Sequence, residues 1–229
     1  MRRLLRRLRS EQSGFTLIEL LVATTIGSIV MLASFFMLDS TVKLTGNVTE
    51  RTDATQRARL AMDRITRELR SQVCPQAGEP AIIDGQDYSV SFYAFSNGTG
   101  TYVPDKYTIY WDTNSSSIVE QYYKGTGVAP FSWPATPTRT RTLLTDVTPP
   151  PTPVNTPIFK YYSTQGGTAH STPLADKATR AATTIVTISF KTFGSSRKLK
   201  GQSIELQDQV YSRTADPNGT TGTTQADCA

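Results

Sequence analysis

The segment Gly14-Phe15-Thr16-Leu17-Ile18-Glu19-Leu20-Leu21-Val22-Ala23 decides how this chain is read. It opens an apolar run from Phe15 to Leu38 in which Glu19 is the sole charge. An ionisable group at membrane depth costs about 2.5–3.5 kcal/mol on insertion scales, so it is expected to serve a purpose and to have a partner. The nearest candidate is an α-amino group, which a cut between Gly14 and Phe15 would create. What precedes the run favours such a cut. Arg2, Arg3, Arg6, Arg7 and Arg9 are interleaved with Leu4, Leu5 and Leu8, and the small polar stretch Ser10-Glu11-Gln12-Ser13-Gly14 follows. A basic stretch ahead of an apolar segment is a targeting signature, and its arginines stay cytoplasmic. An ordinary secretory signal is cut after its apolar region. Here the small residues and the glycine come first, so the apolar segment is expected to remain as the new N-terminus.

The string GFTLIELLVA behind a basic leader resembles the class III signal of type IV pilins and pseudopilins. Glycine before the cut, an aromatic first mature residue and a glutamate at the fifth mature position coincide in it. The resemblance implies that a membrane prepilin peptidase/methyltransferase cuts after Gly14 and then N-methylates Phe15. It implies that Glu19 docks the subunit by attracting the N-terminal amine of a neighbour in a helical filament. The other expected partners are further pilins or pseudopilins, met through the N-terminal helix, and inner-membrane lipid. A plain signal anchor with a tolerated glutamate does not explain Gly14, Phe15 and Glu19 occurring together. More loosely, Gln56 to Arg70 looks like the helix of J-type minor pseudopilins of type II secretion and of W-type minor pilins. Subunits of that kind are expected in tip or initiation complexes.

The chain has 229 residues, enough for one membrane helix and one modest globular domain. Its net charge of +5 is misleading: residues 1–14 hold five arginines and one glutamate, leaving about +1 for the remainder. No basic stripe with interleaved aromatics follows, so nucleic acid is not an expected partner. Residues 15–38 reach about 36 Å as a helix, against a hydrocarbon core of roughly 30 Å. Thr24, Thr25, Gly27, Ser28 and Ser34 are small enough for close helix approach in lipid.

The helical pattern continues beyond the apolar run. Ala54, Ala58, Ala61, Ile65, Leu69 and Val73 recur at spacings of three and four on one face. Asp53 and Asp63 precede Arg57 and Arg67 by four, the favourable orientation. One helix from Leu17 to Val73 is predicted, with a bend at Gly46 and an end before Pro75. After it the period changes to two. Strands are expected over Tyr88–Phe95, Lys106–Trp111, Ser117–Tyr123, Arg139–Leu144, Ile158–Tyr162, Thr183–Phe193 and Ile204–Arg213, with turns at Asn97-Gly98 and Asp112-Thr113-Asn114-Ser115. The fold class expected is α+β, a long helix packed on an antiparallel sheet, as the pilin resemblance implies. Its segments are a cleaved leader (1–14), a membrane or filament-core helix (15–38), an amphipathic continuation (39–74) and an extracytoplasmic β-rich domain (75–229). Residues 129–157 hold eight of the thirteen prolines and, with 165–180, are expected to form surface loops.

Cys74 and Cys228 are the two cysteines. Outside the cytoplasm they permit one intramolecular bond, closing a loop worth about 4–5 kcal/mol in the loop-entropy picture. Independent thiols, or pairing with another protein, are the alternatives. Two cysteines alone do not make a zinc site. There is no GxxxxGK[ST], HExxH or GxSxG motif, and His170 shows no activating partner in the sequence. Asp112-Thr113-Asn114 could offer oxygen ligands to calcium, but a β-turn is the simpler reading. No catalytic residue, cofactor or metal is therefore assigned, and a non-enzymatic assembly protein of the inner membrane is expected. The alternative is a membrane-anchored binding or adhesion domain that never enters a filament.

Overall fold

The computed structural model describes residues 14–95, 103–148, 156–193 and 203–212. The first element is helix α1, Leu17–Arg70, 54 residues without interruption. Its helical pattern continues through Gly46. It ends three residues before Val73. Residues 71–73 are drawn into pairing with the strand that carries Tyr93: Val73 N–H donates to Tyr93 O at 3.0 Å, and Gln72 bridges Ala94. The chain divides into two compact units, Met1–Thr49 and Glu50–Ala229.

In the second unit, α1 buries Ala54, Ala58, Ala61, Met62, Ile65, Thr66 and Leu69. This is the predicted stripe, with Met62 and Thr66 filling the spaces between its rows. Strands β1 (Ile82–Gly85), β2 (Ser89–Ala94), β3 (Asp105–Asp112), β4 (Ser117–Tyr123) and β5 (Arg139–Leu144) form an antiparallel five-stranded sheet in sequence order. Strands β6 (Val147–Thr148), β7 (Phe159–Tyr162), β8 (Ile185–Phe193) and β9 (Ser203–Tyr211) form a second antiparallel sheet. In it β8 is central, with β6 and β7 sharing one side and β9 paired along the other. Helix α2, Lys177–Ala182, precedes β8, and the Asp176 carboxylate caps it by accepting from Thr179 N–H at 2.7 Å.

The arrangement is α+β, a long helix followed by antiparallel sheets. The single sheet expected from the sequence is in fact two. One core joins them: Ile65 and Leu69 of α1 pack with Phe92 and Ile109 of the first sheet and with Phe159, Ile188 and Phe190 of the second, all essentially inaccessible. Polar links cross between the sheets. Trp111 Nε1 donates to Val147 O at 3.1 Å, and the buried Tyr161 hydroxyl reaches Gln86 O and Ser89 O at 3.1 and 3.0 Å. At Gly85 a Cβ would come within 2.7 Å of Leu174 and 2.8 Å of Tyr161, so only glycine allows β1 to lie this close.

The 165–180 region, expected as surface loop, is mostly exposed but buries Leu174 and begins α2. Within 129–157, β5 and β6 interrupt the proline-rich stretch. Its triple proline lies outside the described residues, as do the Asn97-Gly98 turn, residues 1–13 and the tail that holds Cys228.

Candidate functional site

The N-terminal turn of α1 brings the predicted residues together. Glu19 N–H donates to Thr16 O at 3.1 Å and approaches Thr16 Oγ1 at 3.3 Å. Thr16 therefore caps the helix, with Glu19 at the third position. This Thr-x-x-Glu spacing is a capping signature that sequence reading overlooked. An acid in the first turn also suits the positive end of the helix dipole. These local roles account for a glutamate near a helix start. They leave its carboxylate without a hydrogen bond or ion pair among the described residues.

The other polar side chains of the apolar run are satisfied within the helix. Thr24 and Thr25 hydroxyls donate to Leu21 O at 3.0 and 2.7 Å, Ser28 to Thr25 O at 2.9 Å and Ser34 to Val30 O at 2.9 Å. Such back-bonding lets hydroxyls enter lipid without an orphaned donor. Glu19 is thus the exception on a surface otherwise prepared for an apolar medium. Every residue from Leu17 to Gly46 is exposed, and α1 is, among the described residues, the one helix long and apolar enough to cross a membrane. Phe15 is 83% exposed. At Gly14 a Cβ would meet nothing within 4 Å, and its backbone is not left-handed. The fold therefore does not require glycine there.

A second group of charges lies inside the second unit. Glu120 on β4 has a side chain only 1% exposed. It accepts from Arg64 Nε of α1 at 3.2 Å and faces Arg139 Nη2 of β5 at 3.5 Å. Arg64 also reaches Glu68 at 2.7 Å. Burial alone would depress the Arg64 pKa, but the Glu120 hydrogen bond and the charges of Glu68 and Glu120 outweigh it and raise it. Burial, seconded by the charge of Glu120, raises Glu68 above its ordinary value against the pull of Arg64. The cluster clamps the helix to β4 and β5. Sequence periodicity missed it because Arg64 and Glu120 are 56 positions apart.

His170 has a neighbour after all: its Nε2 lies 2.8 Å from Ser163 Oγ, and its backbone N–H donates to Tyr161 O at 2.8 Å. Both contacts close the 163–170 loop on itself. Asp112 accepts from Asn114 N–H at 3.0 Å and Ser115 Oγ at 2.6 Å, which makes the predicted turn and lowers its pKa through those two donors, the serine first. Among the described residues no cluster of three or more His, Cys, Asp or Glu is placed to hold a metal. Cys74 is disulfide-bonded, and its expected partner Cys228 lies outside the described residues.

Residues 9–35 match the family model described as the prokaryotic N-terminal methylation motif. The match spans Gly14, Phe15 and Glu19 and identifies a type IV pilin-like signal. With the exposed apolar helix it supports a membrane-anchored protein whose prepilin-type signal implies processing by a prepilin peptidase. No curated protein and no solved structure matches the chain.

Proposed function

We propose that the chain is a minor pilin or pseudopilin subunit that enters a type II secretion pseudopilus or a type IV pilus, in its tip or initiation complex. The observation that carries this reading is the Glu19 carboxylate, unpartnered among the described residues on an apolar run whose Thr24, Thr25, Ser28 and Ser34 hydroxyls bond the helix's own carbonyls. Residues 1–14 are removed by the prepilin peptidase, which then methylates the Phe15 amine. Residues 15–38 hold the protein in the inner membrane and later pass into the filament core. Residues 39–74 continue the helix, and 75–229 form the extracytoplasmic domain, closed by a Cys74–Cys228 disulfide. The freed amine of one subunit lies beside Glu19 of the next. Each charge there offsets the cost of withdrawing the other from water, which neither could bear alone. The freedom at Gly14 supports recognition by a peptidase, since nothing in the fold asks for that residue.

The test is the intact mass of the protein purified from membranes. Loss of residues 1–14, one added methyl on Phe15 and no alkylation of unreduced cysteines are expected. An N-terminus at Met1, or one downstream of residue 38, contradicts the reading.

A further inference from the structure

The register of the first sheet fixes what its outer face presents. Tyr93 of β2 lies opposite Lys106 of β3, and Lys106 opposite Tyr123 of β4. The next row is Ser91, Thr108 and Gln121, and the one after it Ser89, Tyr110 and Val119. The residues that alternate with them, Phe92 and Ile109 among them, pack with α1 and the second sheet, so these three rows point the other way. Side chains tie the rows together. The Ser91 and Thr108 hydroxyls lie 2.9 Å apart, the Tyr123 hydroxyl donates to Gln121 Oε1 at 2.9 Å, and Gln121 Nε2 lies 3.5 Å from the Tyr110 hydroxyl. Trp133, from the stretch after β4, adds a fourth ring. Its centroid is 4.6 Å from that of Tyr93, and its Nε1 donates to Pro104 O at 3.0 Å.

Tyrosine, threonine and valine suit strands, and pairs of them across a sheet stabilise it. That accounts for the residue types but not for the lack of charge. Across the three rows Lys106 is the sole charged side chain. Its ammonium lies 4.8 Å from the Tyr123 ring centroid and has no acid partner among the described residues. Few charges among many aromatic rings mark a recognition surface. The chemistry of the rows selects the partner. A protein partner is held by apolar groups seated in pockets, and the one aliphatic residue here, Val119, is only 7% exposed. A single-stranded nucleic acid needs cations along its backbone, and the rows offer one. A sugar ring fits better. Its C–H faces carry the partial positive charge that the face of an aromatic ring attracts, and its hydroxyls match Ser91, Thr108 and Gln121. The ammonium of Lys106, set between Tyr93 and Tyr123, favours sugars that carry a carboxylate. We propose that this face binds a chain of acidic sugars, laid across the strands from Tyr93 to Tyr123. Those positions are about 10 Å apart, twice the strand spacing, so more than one sugar is held. The proposal adds a ligand to the subunit described above and does not depend on its entry into a filament.

The test uses the full chain in a detergent without a sugar headgroup. Biolayer interferometry reads its binding to immobilised polygalacturonate, with dextran and a thymidine oligonucleotide as comparison surfaces. Binding to polygalacturonate is expected to be at least about tenfold tighter than to either, and to weaken as salt rises. Tyr123→Ala should weaken it about tenfold, whereas Tyr123→Phe, which keeps the ring, should stay within about twofold. Lys106→Gln should erase the preference over dextran and flatten the salt dependence. The urea midpoint of each variant, followed through Trp111 and Trp133, separates a lost ligand from a lost fold. Should Tyr123→Ala unfold, Lys106→Gln and Tyr123→Phe decide. No binding to polygalacturonate, equal or tighter binding to dextran or to the oligonucleotide, or indifference of folded Tyr123→Ala and Lys106→Gln overturns the proposal.

Discussion

The two ends of helix α1 share one unbroken backbone and differ in what covers them. From Leu17 to Gly46 every residue is exposed, whereas from Ala54 to Leu69 seven are buried against the sheets of the same chain. Hydrophobicity does not explain the contrast, because the exposed end is the more apolar. The second half closes a core, and its small residues, Ala54, Ala58 and Ala61, allow the strands to approach. The first half has no cover among the described residues. Thr24, Thr25, Ser28 and Ser34 bond its own carbonyls, its glycines 27 and 46 face open space, Asp39 pairs with Lys43, and Glu19 is left without a partner among the described residues. One half holds information for folding and the other holds information for a medium or a neighbour.

Truncation breaks the comparison most sharply. Ile65→Ala or Leu69→Ala should cost about 3 kcal/mol, since both side chains are fully buried. Urea unfolding of the detergent-solubilised chain, followed through Trp111 and Trp133, reads this. Leu32→Ala, 59% exposed on the other half, should stay within about 0.5 kcal/mol. An equal loss at Leu32 would erase the distinction between the halves.

Next in size is the clamp. Glu120→Ala should cost about 2 kcal/mol by the same measurement, less than a fully buried pair because Arg64 and Arg139 keep 31% and 51% exposure. A smaller change, of opposite sign, is expected at Gly46. A Cβ there meets nothing, so Gly46→Ala should stabilise the helix by about 0.8 kcal/mol and slow local amide exchange about fourfold.

The smallest effect concerns Glu68. Its folded pKa is raised above 4.5, by burial first and then by the charge of Glu120. The folded chain therefore holds this proton more tightly than the unfolded chain does. The stabilisation is complete below pH 4.5 and is lost as pH rises through the raised value. Glu68→Gln should match the parent at low pH and gain on it, by under about 0.5 kcal/mol, above that window. A variant that instead weakens as pH rises would show that the charged form is favoured.

Where local pattern decides structure, the chain was legible. The three-and-four spacing from Ala54 to Leu69 located the buried face of α1, and alternation located β2 to β5 and β7 to β9 within a few residues. Three things were not legible, each for a physical reason. β1 and β6, of four and two residues, are too short to show a period, and without β6 the division into two sheets could not be seen. The last turn of α1 yields to pairing with β2, a tertiary contact that overrides helical spacing. Glu120 sits in the strand run Ser117–Tyr123 at an inward position, and Arg64 and Arg139, both distant in sequence, make that tolerable. At the N-terminus Gly14, Phe15 and Glu19 stand out as a local pattern in the sequence, and the structure adds the Thr16 cap and the lack of a partner for Glu19 among the described residues.

The proposed entry into a filament depends above all on Glu19 meeting an amine from another chain. Its most direct test is incorporation of Glu19→Leu into filaments, measured beside the parent in sheared-filament and membrane fractions. Normal insertion and trimming with incorporation reduced at least tenfold is the expected result, corresponding to about 1.4 kcal/mol of lost pairing. Incorporation equal to the parent's would contradict it, because an uncharged leucine would then serve as well as the carboxylate.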